Sequence, residues 1–232
     1  MAYYPYLQRY FANEKIKGKR VLEIGLGYGT LGQVLVENGC DYYGVDIALN
    51  PVLMMRYRLS LLGQESERVQ VSSAVHLPYK SETFDLVYSI GCLHHTGDLD
   101  RCVSEVHRVL RPYGKAVIML YNGNSFRRYV RVPLKYCNML LKSLILKKER
   151  KKFSDFERAL YDDNLKGEEA PYTDFVSRGK TRKIFGRFSS TRIECQNFDP
   201  ISIRGRTIIP RAWLLSNAGR VAGLDLYVVA VK

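Results

Sequence analysis

Two carboxylates and three glycines hold the strongest chemical signal in the chain. Glu23-Ile24-Gly25-Leu26-Gly27-Tyr28-Gly29 joins the apolar run Arg20–Ile24 to a segment in which Leu31, Val34 and Leu35 recur at helical spacing. Strand, glycine turn, helix is the order this predicts. Glycines at such a turn let the backbone bend sharply and approach a ligand without Cβ clashes. Asp46 closes the next apolar run, seventeen residues beyond Gly29. A carboxylate there can accept both hydroxyls of a nucleoside ribose. A dinucleotide and a nucleoside sulfonium both place a ribose in this way. The dinucleotide fingerprint needs glycine or alanine at position 30, where Thr30 stands, and a pyrophosphate disfavours the acid at Glu23. A sulfonium ligand with a free α-amino group tolerates Glu23, so the two acids favour the sulfonium.

His94 and His95 form the second chemical feature. They follow the apolar run Phe84–Tyr88, at the edge where parallel sheets bind ligands. An imidazole titrates near neutrality and can serve as a general base; packing at the start of the next helix is the structural alternative. His107 falls mid-helix and reads as structural.

Positioning these residues requires a doubly wound sheet. Residues 42–45, 69–71, 84–88 and 115–121 read as further strands. Residues 51–62 and 99–110 read as the intervening helices, the second with Leu99, Cys102, Val103, Val106, Val109 and Leu110 on one face. Arg111–Gly114 reads as a turn. Residues 173–185 read as a helix, and 190–197 with 224–231 as an antiparallel strand pair at the sheet edge. The expected organisation is one α/β domain: an N-terminal segment 1–19, a ligand-binding core 20–121, a basic helical insertion or lid 122–187, and a C-terminal strand pair 188–232.

At this point the chain resembles the class I S-adenosylmethionine-dependent methyltransferases, in particular the small-molecule branch that includes the ubiquinone and menaquinone biosynthesis enzymes. VLEIGLGYGT and YYGVD look like the first two family motifs, and SSAVHLPYKSETFDLVYS resembles the third motif with its following strand. IGCLHHTGD and EVHRVLRPYGKAVIML resemble the next loop and the fifth strand. The resemblance implies a Rossmann-like, seven-stranded sheet with helices on both faces and a helical insertion between strands five and six. It also implies S-adenosyl-L-methionine as cofactor; no Cys/His cluster has metal-ligand spacing, so no metal is expected. Glu23, Gly25, Gly27 and Gly29 would form the loop around its methionine part. Asp46 would take the ribose hydroxyls, Ile47 and the pair Ala74-Val75 would flank the adenine, and Ser89 would lie near the transferable methyl group. Ser73 stands where the family usually has an aspartate bonding the adenine amino group. His94 and His95 remain the candidate bases. Methyl transfer to a small acceptor is the implied activity, with oxygen of a sugar, lipid-linked or secondary-metabolite precursor ahead of nitrogen or carbon.

The 232 residues carry 36 Lys+Arg against 23 Asp+Glu, a net charge of +13. That excess is local: residues 124–152 hold ten basic side chains and only Glu149, a net of +9. A localised patch weakens the case for nucleic-acid binding from charge alone. Pro133, Leu134, Cys137, Leu141, Leu144 and Ile145 suggest a basic helix there, which could cover the active site or lie on a membrane surface through residues 127–152. RNA methylation through this insertion, or a non-catalytic binding module, are the alternative functions. Glu168, Tyr172, Thr173, Arg178 and Arg182 are polar candidates for lining the lid. The Met1–Tyr10 segment lacks the apolar core of a signal peptide, and five scattered cysteines suit a reducing compartment, so a cytoplasmic location is expected.

Overall fold

A computed structural model describes residues 6–11, 16–146, 152–161, 172–203 and 206–232. The apolar runs read from sequence become β1 (Arg20–Ile24), β2 (Asp41–Asp46), β3 (Val69–Val71), β4 (Phe84–Ile90) and β5 (Leu110–Asn122). β6 (Phe175–Val176), β7 (Ser190–Gln196), β8 (Ile201–Ile203), β9 (Arg206–Ile209) and β10 (Asp225–Val231) follow. The main path runs β3-β2-β1-β4-β5-β10-β7, with β6 added beside β5 and β8-β9 forming a separate hairpin. The first five strands are parallel, whereas β10 is antiparallel to both β5 and β7.

Helices cover both faces because each carries one apolar stripe. On one face lie α1 (Gln8–Phe11), α2 (Thr30–Glu37) and α3 (Leu49–Leu61), in a core with Leu35, Met55, Leu59, Tyr88 and Tyr227. The other face holds α4 (Leu99–Val109), whose Cys102, Val103, Val106 and Val109 are wholly buried. Burial contributes about 1.5–3 kcal/mol for each such valine. The Asp98 carboxylate caps α4 by accepting the Arg101 N–H at 3.0 Å.

The insertion after β5 begins with a π-turn at Arg127–Arg131, continues into α5 (Val132–Leu146), and includes α6 (Phe153–Tyr161) and α7 (Arg178–Ile184). α8 (Arg211–Ser216) and α9 (Ala218–Ala222) lead into β10. α5 leaves Leu134, Leu141, Leu144 and Ile145 exposed. Residues 147–151, including part of the basic run, lie outside the described residues, as does Glu168. Among the described residues no helix is long and apolar enough to cross a membrane.

Three sequence expectations are corrected. Residues 173–185 are not one helix: Phe175 and Val176 pair with Tyr121 and Asn122 before Ser177 caps α7. The insertion is therefore not wholly helical. The turn at Arg111–Gly114 is a bulge inside a longer β5, because the β4 register jumps from Phe84↔Leu110 to Leu86↔Lys115 and Tyr113 adopts φ 63°. The hairpin and the two short helices between β7 and β10 had no expected counterpart.

The N-terminal segment carries Tyr3, Tyr4, Tyr6 and Tyr10. Tyr3 and Tyr4 fall outside the described residues, while Tyr10 stacks on Tyr227 at 4.5 Å and donates to Glu194 at 2.7 Å. Tyr6 meets Tyr227 edge-on. The segment is packed onto the sheet, with Leu7 at the mouth of a cavity described below.

Candidate functional site

At the carboxyl ends of β1, β2 and β4 lies an open cleft of about 550 Å³, lined in part by Glu23, Gly25, Gly27, Asp46, Cys92 and His95. The glycine loop above it is held in left-handed backbone, with φ 83°, 50° and 71° at Gly25, Gly27 and Gly29. Gly25 is also sterically compelled, since a Cβ there would stand 2.3 Å from Cys92 Cβ. Gly29 shapes the entry to α2 without lining the cavity.

Asp46 does two jobs from the end of β2. Its Oδ2 accepts the Leu26 N–H at 2.8 Å and its Oδ1 accepts the Ala48 N–H at 2.9 Å. Each carboxylate oxygen keeps a further lone pair for a ligand hydroxyl. Glu23 is buried beneath the loop, where its Oε2 accepts the Tyr42 hydroxyl at 2.6 Å. Desolvation pushes its carboxyl up to about 8, against the lowering effect of that hydrogen bond. A cationic ligand in this cavity would favour the ionised form.

The adenine-edge candidates occupy the neighbouring strand end. Asp46 pairs in register with Val71, so exposed Ile47 and the segment Ser73–Val75 emerge side by side. None of Ile47, Ser73, Ala74 or Val75 lines this cavity. Ser73 Oγ accepts from Val75 N at 3.4 Å, and Ala74 is buried. α4 fixes this segment from below: Glu105 Oε2 accepts the Leu77 N–H at 2.9 Å, and Arg101 Nε donates to Val75 O at 3.2 Å. The hydrogen bond from Arg108 holds the Glu105 carboxyl below its ordinary range.

Ser89 and His94 are placed away from the cavity. Ser89 is fully buried and donates to Ile24 O at 2.9 Å, tying β4 to β1. His94 is also fully buried, its ring 4.1 Å from that of Tyr121. His95 does line the cavity. Its Nδ1 lies 2.9 Å from the Tyr172 carbonyl, which can only accept, so Nδ1 carries the proton. Tyr172 and Thr173 thus reach the site through His95, whereas Arg178 is bonded to Arg220 O.

A second cavity of about 370 Å³ adjoins the first, with Ile90 in both walls. Its walls include Leu7, Met119, Tyr121, Tyr161, Tyr227 and Asp225. Asp225 is the functional candidate that the sequence reading missed. Because β10 runs antiparallel, its first residue lies opposite Tyr121 at the carboxyl end of β5. The carboxylate accepts from Asn197 Nδ2 at 3.0 Å, and burial pushes it up to about 7. An acid opening the apolar run LDLYVVAV was the available signal.

A glycine-rich loop, an aspartate with free lone pairs and two adjoining cavities thus lie together at the carboxyl edge of a 3-2-1-4-5 sheet, where such sheets bind ligands. Residues 22–118 match the family model described as a methyltransferase domain. The chain is 28% identical over 120 residues to phosphoethanolamine N-methyltransferase 2 of Caenorhabditis elegans, covering 49% of this chain and 28% of that protein. It is also 28% identical over 107 residues to a ubiquinone biosynthesis O-methyltransferase of Aliivibrio fischeri, covering 46% of each. The chain thus spans half or less of the length of these curated relatives. The crystal structure of YcgJ from Bacillus subtilis shares the fold with a TM-score of 0.63 at 19% identity, covering 97% of this chain and 96% of that one. Residues 22–118 thus resemble a methyltransferase domain, whose fold the YcgJ structure shares, and S-adenosylmethionine is the cofactor that such a domain implies. Glu23, Gly25, Asp46 and the loop amides fit such a group: a buried acid for its cationic part and a carboxylate for its ribose.

Proposed function

We propose that the chain transfers the methyl group of S-adenosylmethionine to a small-molecule acceptor held in the Tyr121–Tyr161–Tyr227 cavity. The observation that carries this reading is the shared Ile90 wall between the two cavities. Transfer from a sulfonium is an in-line displacement, so alignment and exclusion of water supply most of the rate. The cofactor supplies an electrophilic methyl group. The chain's residues hold the nucleoside at Asp46, orient the acceptor between the tyrosines and receive its proton.

Asp225 is the proposed proton acceptor for a hydroxyl or amine nucleophile, with His95, on the cofactor side, as the second candidate. Relatives named for O- and N-methylation fit an acceptor of either type. An oxygen acceptor, including a lipid-linked one, remains the favoured class. The exposed Leu134, Leu141, Leu144 and Ile145 of α5 support a peripheral lipid contact beside the site. A tyrosine-walled cavity of about 370 Å³ matches the size of a small acceptor.

The test uses labelled S-adenosylmethionine with a panel of hydroxyl and amine acceptors. With an accepted substrate, turnover should rise with pH through about 7, as the Asp225 carboxylate ionises. Asp225→Asn, which keeps the side-chain shape, should lower kcat about 10²–10⁴-fold and abolish this limb. Unchanged turnover and pH profile in that variant would remove Asp225 from the role.

A further inference from the structure

Beyond the tyrosine-walled cavity lies a third, smaller one of about 110 Å³, lined by Arg127, Arg131, Lys135, Leu160 and Asp199. Arg127 lines this cavity and the acceptor cavity alike. The three cations recur every fourth residue through the π-turn into α5, so they share one face. One carboxylate stands against three positive charges.

The hydrogen bonds show which cations are committed. Arg127 donates from Nε and Nη2 to the two Asp199 oxygens at 2.7 and 2.6 Å, and its guanidinium lies 4.9 Å from the Tyr161 ring centroid. It is a fixed bidentate pair. Arg131 reaches Asp199 through Nη1 alone, at 2.8 Å. Lys135 makes no ion pair among the described residues. Its amine is held below the ordinary lysine range by burial and by the charges of Arg131 and Arg127. The cavity amounts to roughly three or four waters' share of liquid volume, room for one tetrahedral oxyanion.

Resting on the methyl-transfer reading above, we infer that Arg131 and Lys135 bind a phosphate or similarly compact oxyanion carried by the acceptor, beside the cavity that holds its reacting end. The anion offsets the excess charge that the Arg127–Asp199 pair leaves. Arg127 then serves as the shared wall that sets the distance between the anionic group and the nucleophile. Acceptors without such a group would lose this anchor.

The probe is inorganic phosphate, titrated calorimetrically into the full chain at constant ionic strength set with sodium chloride. One site is expected. Lys135→Gln, which leaves the Arg127–Asp199 pair in place, should weaken it at least tenfold, as should Arg131→Gln. Both variants should bind S-adenosylhomocysteine like the parent chain. Vesicles of phosphatidylcholine, with and without phosphatidic acid, separate the two sources of such a group. Competition between acidic vesicles and phosphate assigns it to a lipid headgroup, and phosphate binding without vesicle binding assigns it to a soluble acceptor. Absence of phosphate binding, or binding indifferent to both substitutions, overturns the inference. Failure to bind S-adenosylhomocysteine would instead overturn the methyltransferase reading.

Discussion

Asp46→Ala is expected to weaken binding of S-adenosylhomocysteine at least about 100-fold while leaving the chain folded. Two effects combine. The substitution removes the acceptor proposed for the ribose hydroxyls, and hydrogen bonds to a charged group contribute about 1.5–3 kcal/mol each. It also releases the Leu26 and Ala48 N–H groups that the carboxylate holds at 2.8 and 2.9 Å, so the glycine loop loses its tie to β2. Asp46 lies at the sheet edge rather than in the core, and this limits the loss of global stability. Calorimetric titration of the variant, with circular dichroism as the check on folding, reads both effects. Affinity equal to that of the parent chain would remove Asp46 from the cofactor site.

Gly25→Ala should act through sterics alone. The new Cβ would meet Cys92 Cβ at 2.3 Å and its Sγ at 2.7 Å, in a backbone with φ 83°. Left-handed backbone costs a residue with a Cβ about 1–2 kcal/mol, and overpacking adds about 1–3 kcal/mol. A loss of about 2–5 kcal/mol in denaturant unfolding is therefore expected, together with loss of cofactor binding as the loop shifts. Gly27→Ala is the internal comparison: its Cβ would meet nothing within 4 Å, so only the backbone cost at φ 50° applies. Equal effects of the two substitutions would show that Cys92 does not set the loop's position.

The glycine-loop side of the candidate site was legible because its residues lie close in sequence and carry residue types with few other uses. Glycines at 25, 27 and 29 after an apolar run, with an acid ending the next run, leave little freedom in how strand, turn and helix connect. The structure places Gly25, Gly27 and Asp46 around one cavity, with Gly29 at the entry to α2. For Ser89 and His94, residue type did not reveal orientation. Strand alternation turns Ser89 toward Ile24 and leaves Ile90 at the cavity wall, and a single 3-10 turn buries His94 while presenting His95.

The acceptor side was not legible, because long-range topology assembles it. Asp225 gains its position only from the antiparallel pairing of β10 with β5, more than a hundred residues apart in sequence. Arg127 likewise looked like one charge in a basic run, until Asp199 and Tyr161 fixed it between two cavities. Thr173–Phe185 had helical composition, yet the end of β5 that extends past β4 recruited Phe175 and Val176 as a strand. Local propensity yields to an available row of backbone partners.

The central claim is that the cavity at Glu23, Gly25 and Asp46 holds the nucleoside of S-adenosylmethionine. Calorimetric titration of the purified chain with S-adenosylhomocysteine, with NAD as the paired control, tests it most directly. Single-site micromolar binding of the first and none of the second is the expected result. No binding of S-adenosylhomocysteine, or binding of NAD with equal affinity, would contradict it.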